Sequence, residues 1–375
     1  MTDLVVISLE NWDGVWRRNQ HLLWRIMLSD PAMRVLFVEP PDDPLHALRS
    51  GRRARFGRRA TDEELPGRLW TMRPLKALPR RVDRRADERT AAHVVRTARN
   101  LGMPDPILWV NDPGGAEISR LTGWRTLYDM TDDWLSAQRP AAELARVASQ
   151  ESFLLAEADQ VVACSPELQR RKGAQRSPPR DPIELVRNAV DTQAYRLHRA
   201  RPADLPGGRV ALYAGTLHAD RLDLGLCRVV AERLSGIGTL VLVGPNALAD
   251  AQVSALRHAG AILLGPRAHH EVIAYLQHAD VLVVPHVVTP FTDSLDPIKL
   301  YEYQASARPV VSTPVAGFRE TQNDGILMVD VDDFPDAVAD AVNRTDGIPR
   351  GGKGRVPDWS ERADDMLRII RRMVR

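Results

Sequence analysis

The chain is poor in cysteine, lysine, aromatic residues and long apolar runs, and each shortage removes a class of protein. Its 375 residues include two cysteines, Cys164 and Cys227, in different predicted halves. Neither a disulfide framework nor a cysteine metal site is available, which fits a reducing compartment. No run approaches the roughly 18 apolar residues that a membrane helix needs. Neither a basic segment nor an apolar core precedes the first strand, Leu4–Leu9, so no secretory signal is expected. The expected location is cytoplasmic, with a peripheral membrane contact left open. A G-x-G-x-x-G fingerprint, a Walker lysine loop, a nucleophile elbow and a paired-cysteine motif are all missing. His269, His270 and His278 share one predicted helix without a carboxylate cluster, so no metal and no cofactor is expected. The net charge is +2, too small to make the whole molecule a nucleic-acid binder.

What is present is enough apolar residue for cores, 44% of the chain, over a length that suits two domains. Apolar strands alternate with helical patterns throughout. In the second half the strands are Val210–Leu217, Thr239–Gly244, Ala261–Leu264, Val281–Pro285 and Pro309–Thr313. Continuous apolar strands with helical crossovers predict α/β architecture with parallel sheets. Several strands end in glycine turns, Gly215-Thr216, Gly244-Pro245 and Gly265-Pro266-Arg267, where a ligand can approach backbone amides.

The organising stretch is FTDSLDPIKLYEYQASARPVVST, Phe291 to Thr313. Its spacing predicts a helix over 297–306 between two buried strands. Pro297 suits the first turn and Asp296 can cap it. A loop feeding a helix N-terminus after a parallel strand is a ready anion site. Lys299 in the first turn suits a diphosphate, and Glu302, three residues on, suits ribose hydroxyls. A surface Lys–Glu pair is the plainer alternative.

This stretch resembles the donor-binding signature of GT-B glycosyltransferases of the GT4-like kind, P-x-K-x-x-E-Y-x-A-x-G-x-P-V-V. Pro297, Lys299, Glu302, Tyr303, Ala305, Pro309, Val310 and Val311 match it, with Ala307 in the glycine position. Ser294 stands where many members carry a second, sugar-contacting glutamate. The segment from Trp12 also resembles the W-D-x-x-x-x-R-x-Q-x-L opening of teichuronic-acid-type members, and Asn188-Ala189-Val190-Asp191 resembles their N-G-V-D.

The resemblance implies two Rossmann-like domains facing a central cleft. Residues 1–190, with a final helix 358–375 crossing back, would bind the acceptor; 191–357 would bind a nucleoside-diphosphate sugar. It implies metal-independent sugar transfer with retention of anomeric configuration. The donor set would be Gly215, Thr216, Gly244, Pro245, Arg267, Ser294, Asp296, Ile298, Lys299, Leu300 and Glu302. Arg221 and Lys299 would stabilise the departing diphosphate, and Asp129 or Asp132 would assist catalysis. Trp12, Asp13, Arg17, Gln20, His21 and Asp133 would lie on the acceptor side. A nucleotide-sugar epimerase or hydrolase, or a non-catalytic sugar or nucleotide binder, are the rival readings.

One segment falls outside this scheme. Residues 40–66 break the pattern and read as a structureless insertion. Arg49, Arg52, Arg53, Arg55, Arg58 and Arg59 crowd it. They suit a solvated loop, an anionic acceptor or an acidic membrane surface. Only Phe56 is interleaved for stacking, so nucleic acid is not expected as a partner.

Overall fold

The computed structural model describes residues 2–14, 16–41, 57–60, 65, 67–75, 85–137, 139–176, 178–321, 325–344 and 355–374. The chain divides into two compact units. One gathers Met1–Leu135, Arg139–Arg187 and Ser360–Arg375; the other gathers Asn188–Trp359 with Ser136–Gln138.

Each unit is built on its own sheet. In the first, the strands are β1 Asp3–Ile7, β2 Arg34–Val38, β3 Gly57–Ala60, β4 Leu69–Arg73, β5 Ile107–Val110, β6 Thr126–Met130, β7 Gln160–Ala163 and β8 Glu184–Leu185. Their order is β3-β4-β2-β1-β5-β6-β7-β8. All neighbours run parallel except β3, which is antiparallel to β4 with Gly57 opposite Arg73 and Ala60 opposite Trp70. The expectation of an unstructured 40–66 is thus corrected at 57–60. The sequence Gly57–Ala60, GRRA, carries no apolar period to read, and its backbone pairs along the edge of β4. Arg49, Arg52, Arg53 and Arg55 lie outside the described residues.

The final helix, Trp359–Val374, belongs to the first unit from Ser360 onward. Ala363, Met366, Leu367, Ile370 and Met373 recur at helical spacing, and all are buried. Arg125 donates to the Met373 carbonyl, and Arg372 pairs with Glu184. Helix Pro166–Gly173 is capped by Ser165, whose Oγ accepts from the Leu168 amide at 3.1 Å.

The second unit carries β9 Val210–Ala214, β10 Thr239–Val243, β11 Ile262–Gly265, β12 Val281–Val284, β13 Val310–Ser312 and β14 Ile326–Met328, ordered β11-β10-β9-β12-β13-β14. Every pairing is parallel. Alternation along β9 assigns the two faces. Val210, Leu212 and Ala214 join the core with helices His269–His278 and Ile298–Ser306, while Ala211 and Tyr213 join the one with Leu224–Arg233, Asp250–His258 and Phe334–Asn343. The sheet is therefore doubly wound, and its β9–β12 pair leads to the loops of interest at their C-terminal ends.

Candidate functional site

The helix Ile298–Ser306 is fixed from three sides. Tyr303, fully buried, receives the Ala214 amide on its hydroxyl at 3.0 Å, which ties the helix to the end of β9. Tyr301 donates to Asp296 at 2.8 and 3.0 Å. At the C-terminal end, Ala307 takes φ 55°, the left-handed conformation of a helix stop. The helix begins one residue later than its spacing predicts, with Pro297 as the N-cap residue and no side-chain cap. Asp296 does not cap it. Its carboxylate accepts the Asn188 amide at 2.6 Å and the Tyr301 hydroxyl, so it fastens the start of the unit instead.

Two glycine turns meet beside this helix. Gly244 has φ 145°, and a Cβ there would lie 2.0 Å from the Gly215 carbonyl oxygen. Gly215 has φ 150°, and a Cβ there would lie 2.7 Å from Lys299 Nζ and 3.2 Å from the Tyr213 hydroxyl. These glycines allow loop to meet loop and lysine to meet backbone. They do not present free amides: Gly215 N donates to Val243 O at 2.8 Å and Gly244 N to Gly265 O at 2.9 Å. Pro245 O accepts from Leu217 N at 2.8 Å, and Thr216 is exposed at the rim.

Lys299 is half-buried, with its ammonium drawn in beside the Gly215 turn. The nitrogen sits 4.3 Å from the centroid of the Tyr213 ring. Among the described residues no carboxylate comes within ion-pair distance of it. Burial pushes its pKa down to about 8; the charge of Glu302 works upward and that of Arg221 downward. Arg221, in the loop after β9, holds its guanidinium 5.3 Å from the Phe291 ring. His286, buried just past β12, has its Nε2 3.2 Å from the Tyr213 hydroxyl. Burial, then Lys299 and Arg221, push its pKa well below the ordinary imidazole value, so it is neutral. Sequence reasoning missed Tyr213 and His286, because Tyr213 reads as part of an apolar strand and His286 directly follows another.

The remaining donor-side candidates divide. Glu302 lies one turn beyond Lys299, with Oε1 3.8 Å from His269 Nδ1. Ile298 is partly exposed at the helix start, and Leu300 is buried in the core. Ser294 is fully buried and donates to the Phe291 carbonyl at 2.7 Å, so its hydroxyl holds a turn. Arg267 donates to the Tyr275 hydroxyl at 2.9 Å and pairs with Asp204.

In the first unit most of the polar candidates are structural. Asp129 is fully buried and receives Arg18 on both oxygens, at 3.0 and 3.1 Å. Asn111 and Trp109 add donations at 3.1 and 3.3 Å. These four donations link the end of its strand to the helix Arg18–Ser29 and to the neighbouring strand, a structural use of the carboxylate. Asp133 is buried too, paired with Lys172 at 2.9 Å and Arg171 at 3.3 Å. Gln20, fully buried, staples the first loop: it accepts from Arg17 N at 3.1 Å and donates to Asn11 O at 2.8 Å. His21 is buried edge-on to Trp16. All three have partners within the first unit. Trp12 packs edge-on against Phe37 at 5.0 Å, half-exposed. Arg17 meets Glu10 at 3.3 Å and Asp13 at 3.7 Å; the arginine that reaches Asp129 is its neighbour. Asp132 keeps solvent access, with the Thr131 hydroxyl 3.0 Å away.

Residues 208–345 match the model of the family described as Glycosyl transferases group 1. TuaH of Bacillus subtilis, whose name assigns it to teichuronic acid biosynthesis as a glycosyltransferase, is 26% identical over 219 residues, covering 55% of each chain. The chain spans about half the length of the curated relatives it matches. Among solved structures, sucrose-phosphate synthase from Thermosynechococcus elongatus superposes with a TM-score of 0.73 at 18% identity, covering 100% of this chain and 99% of that one. HepE of Anabaena, in complex with UDP and glucose, gives 0.67 at 15%, covering 99% and 100%. The signature around Lys299 falls inside the matched residues 208–345, and the fold, two Rossmann-like domains with parallel sheets, is similar to that of these solved structures.

Proposed function

We propose that this protein transfers a sugar from a nucleoside-diphosphate sugar to an acceptor, with the donor held by the second unit. The observation that carries the reading is Lys299, an ammonium kept beside a glycine turn without a carboxylate partner and with Glu302 one turn away. A half-buried cation without a carboxylate partner suits an anionic ligand. The diphosphate would lie against Lys299 and Arg221, and Glu302 would take the ribose hydroxyls. When the bond from the anomeric carbon to the diphosphate oxygen breaks, negative charge grows on the leaving group. Cations already in place stabilise it without reorganising. The acceptor hydroxyl forms its bond to the anomeric carbon on the same face, retaining configuration, and its proton passes to the departing diphosphate oxygen. Charge neutralisation by side chains makes the reaction independent of a metal ion, so turnover persists in a chelator. Between the two carboxylates named for catalysis, Asp129 is buried and Asp132 keeps solvent access, so Asp132 is the acceptor-side choice.

The test is thermal denaturation with UDP, GDP, dTDP or ADP, with UDP first because the Anabaena neighbour holds it. Binding to the folded state raises the melting temperature by mass action. One diphosphate is expected to raise it, and Lys299→Ala and Glu302→Ala are expected to abolish the rise while the protein stays folded. Transfer activity should fall by about 100-fold or more in each. No rise with any of the four, or wild-type behaviour in both variants, removes the assignment. Release of free or epimerised sugar instead of transfer favours the hydrolase or epimerase reading.

A further inference from the structure

We propose that Tyr213 and His286 are positioning residues that seat Lys299 for the donor's diphosphate, and that diphosphate binding draws a proton from solvent onto that lysine. The proposal rests on the donor-site reading above and adds how its cation is kept ready.

The geometry is a stack of three groups from three elements. Tyr213 comes from β9, His286 from the end of β12, and Lys299 from the first turn of the helix Ile298–Ser306. The Tyr213 ring lies under the ammonium at 4.3 Å, a cation–π distance. Its hydroxyl is 3.2 Å from His286 Nε2 and donates to the Thr216 carbonyl at 3.5 Å, which fixes the ring's rotation. The His286 backbone is held in turn: its carbonyl accepts from Thr313 Oγ1 at 2.8 Å, and it bridges to Leu222. Gly215 leaves the space in which lysine and hydroxyl come together. A lysine over a ring remains available to a ligand, whereas a lysine locked to a carboxylate would first have to break that pair.

The charged and titratable groups around Lys299 are Arg221 from the loop after β9, His286, Tyr213, and Glu302 on its own helix, with His269 beyond Glu302. In the empty site the lysine titrates near pH 8. A diphosphate brought beside it favours the ammonium and raises that value. At pH 8 binding therefore takes up part of a proton from solvent. The terminal phosphate is already ionised there and contributes little.

The test is calorimetric titration at pH 8 in two buffers of different ionisation enthalpy, using UDP, GDP, dTDP and ADP on the full chain. The wild type is expected to bind one of them with measurable proton uptake. Lys299→Arg should show no uptake, because a guanidinium stays charged. Tyr213→Leu removes the seat and exposes the ammonium to water. Affinity should fall about tenfold and the uptake should vanish. Tyr213→Phe keeps the ring and loses the His286 link, and His286→Gln alters the same link. Both should bind more weakly and take up less proton. If Tyr213→Leu does not fold, judged by its circular dichroism, these two decide. Wild-type affinity and uptake in the folded Tyr213 and His286 variants would overturn the seat while leaving the donor site standing. No binding by the wild type would overturn both.

Discussion

Asp129 is a fully buried charge and Lys299 a half-buried one, and their surroundings differ in kind. Asp129 is satisfied by Arg18, Asn111 and Trp109, so its charge serves only the fold. Lys299 has an aromatic ring and a second cation for neighbours, so its charge is costly in the empty protein. The sign of that cost is testable. The folded pKa of about 8 lies below the ordinary lysine value of 10.5, so between those values the unfolded chain binds more protons. Stability contributed by this group rises as pH climbs from about 8 toward 10.5. Lys299→Met should raise the melting temperature at pH 7 and flatten the rise between pH 8 and 10; a parallel pair of curves for wild type and variant would contradict it. Spacing made Lys299 and Glu302 legible because both lie in one helical turn. The burial of Asp129, Asp133, Gln20 and His21 was not legible, because a polar residue near a strand end looks alike in sequence whether it faces solvent or a buried partner. Tyr213 and His286 stayed hidden because they lie about 70 residues apart and meet only through the β9–β12 pairing.

At the scale of elements, most strands and helices could be read from apolar runs and period, and the errors have local causes. β3 has no apolar period to read, and β14 is a short edge strand with two of its three residues exposed. The helix Ile298–Ser306 closes on a residue whose conformation favours glycine, yet alanine is there. Ala307→Gly should therefore stabilise the second unit by up to about 1 kcal/mol, the left-handed strain removed less the extra freedom of the unfolded chain. Urea denaturation checks it; an unchanged or lowered midpoint would mean that the turn bears no strain. The change leaves the Tyr303–Ala214 tie in place, so donor binding should be unaffected.

At the scale of the whole chain, the two units were visible as two series of alternating strands and helices, with the same doubly wound logic in each. The final helix belongs to the first unit, although the second unit's residues stand between. Removing 360–375 would expose the surfaces that cover Met366, Leu367, Ile370 and Met373. At about 1.5–3 kcal/mol for each such side chain, the loss is comparable to the stability of a typical domain. Limited proteolysis of the shortened protein should digest the first unit's residues 1–187 while a fragment near 188–359 persists. Protection of both units alike would assign the helix a minor part.

That helix also bears on how the protein is made. A ribosome delivers residues in order, and domains generally finish folding in the order they emerge. Here the unit begun first is completed last, because its closing helix leaves the tunnel after the second unit's chain is already out. Until then the first unit's apolar groove is bare in the growing polypeptide. This sets a window of seconds in which a chaperone, or a neighbouring nascent chain, meets an unfinished surface.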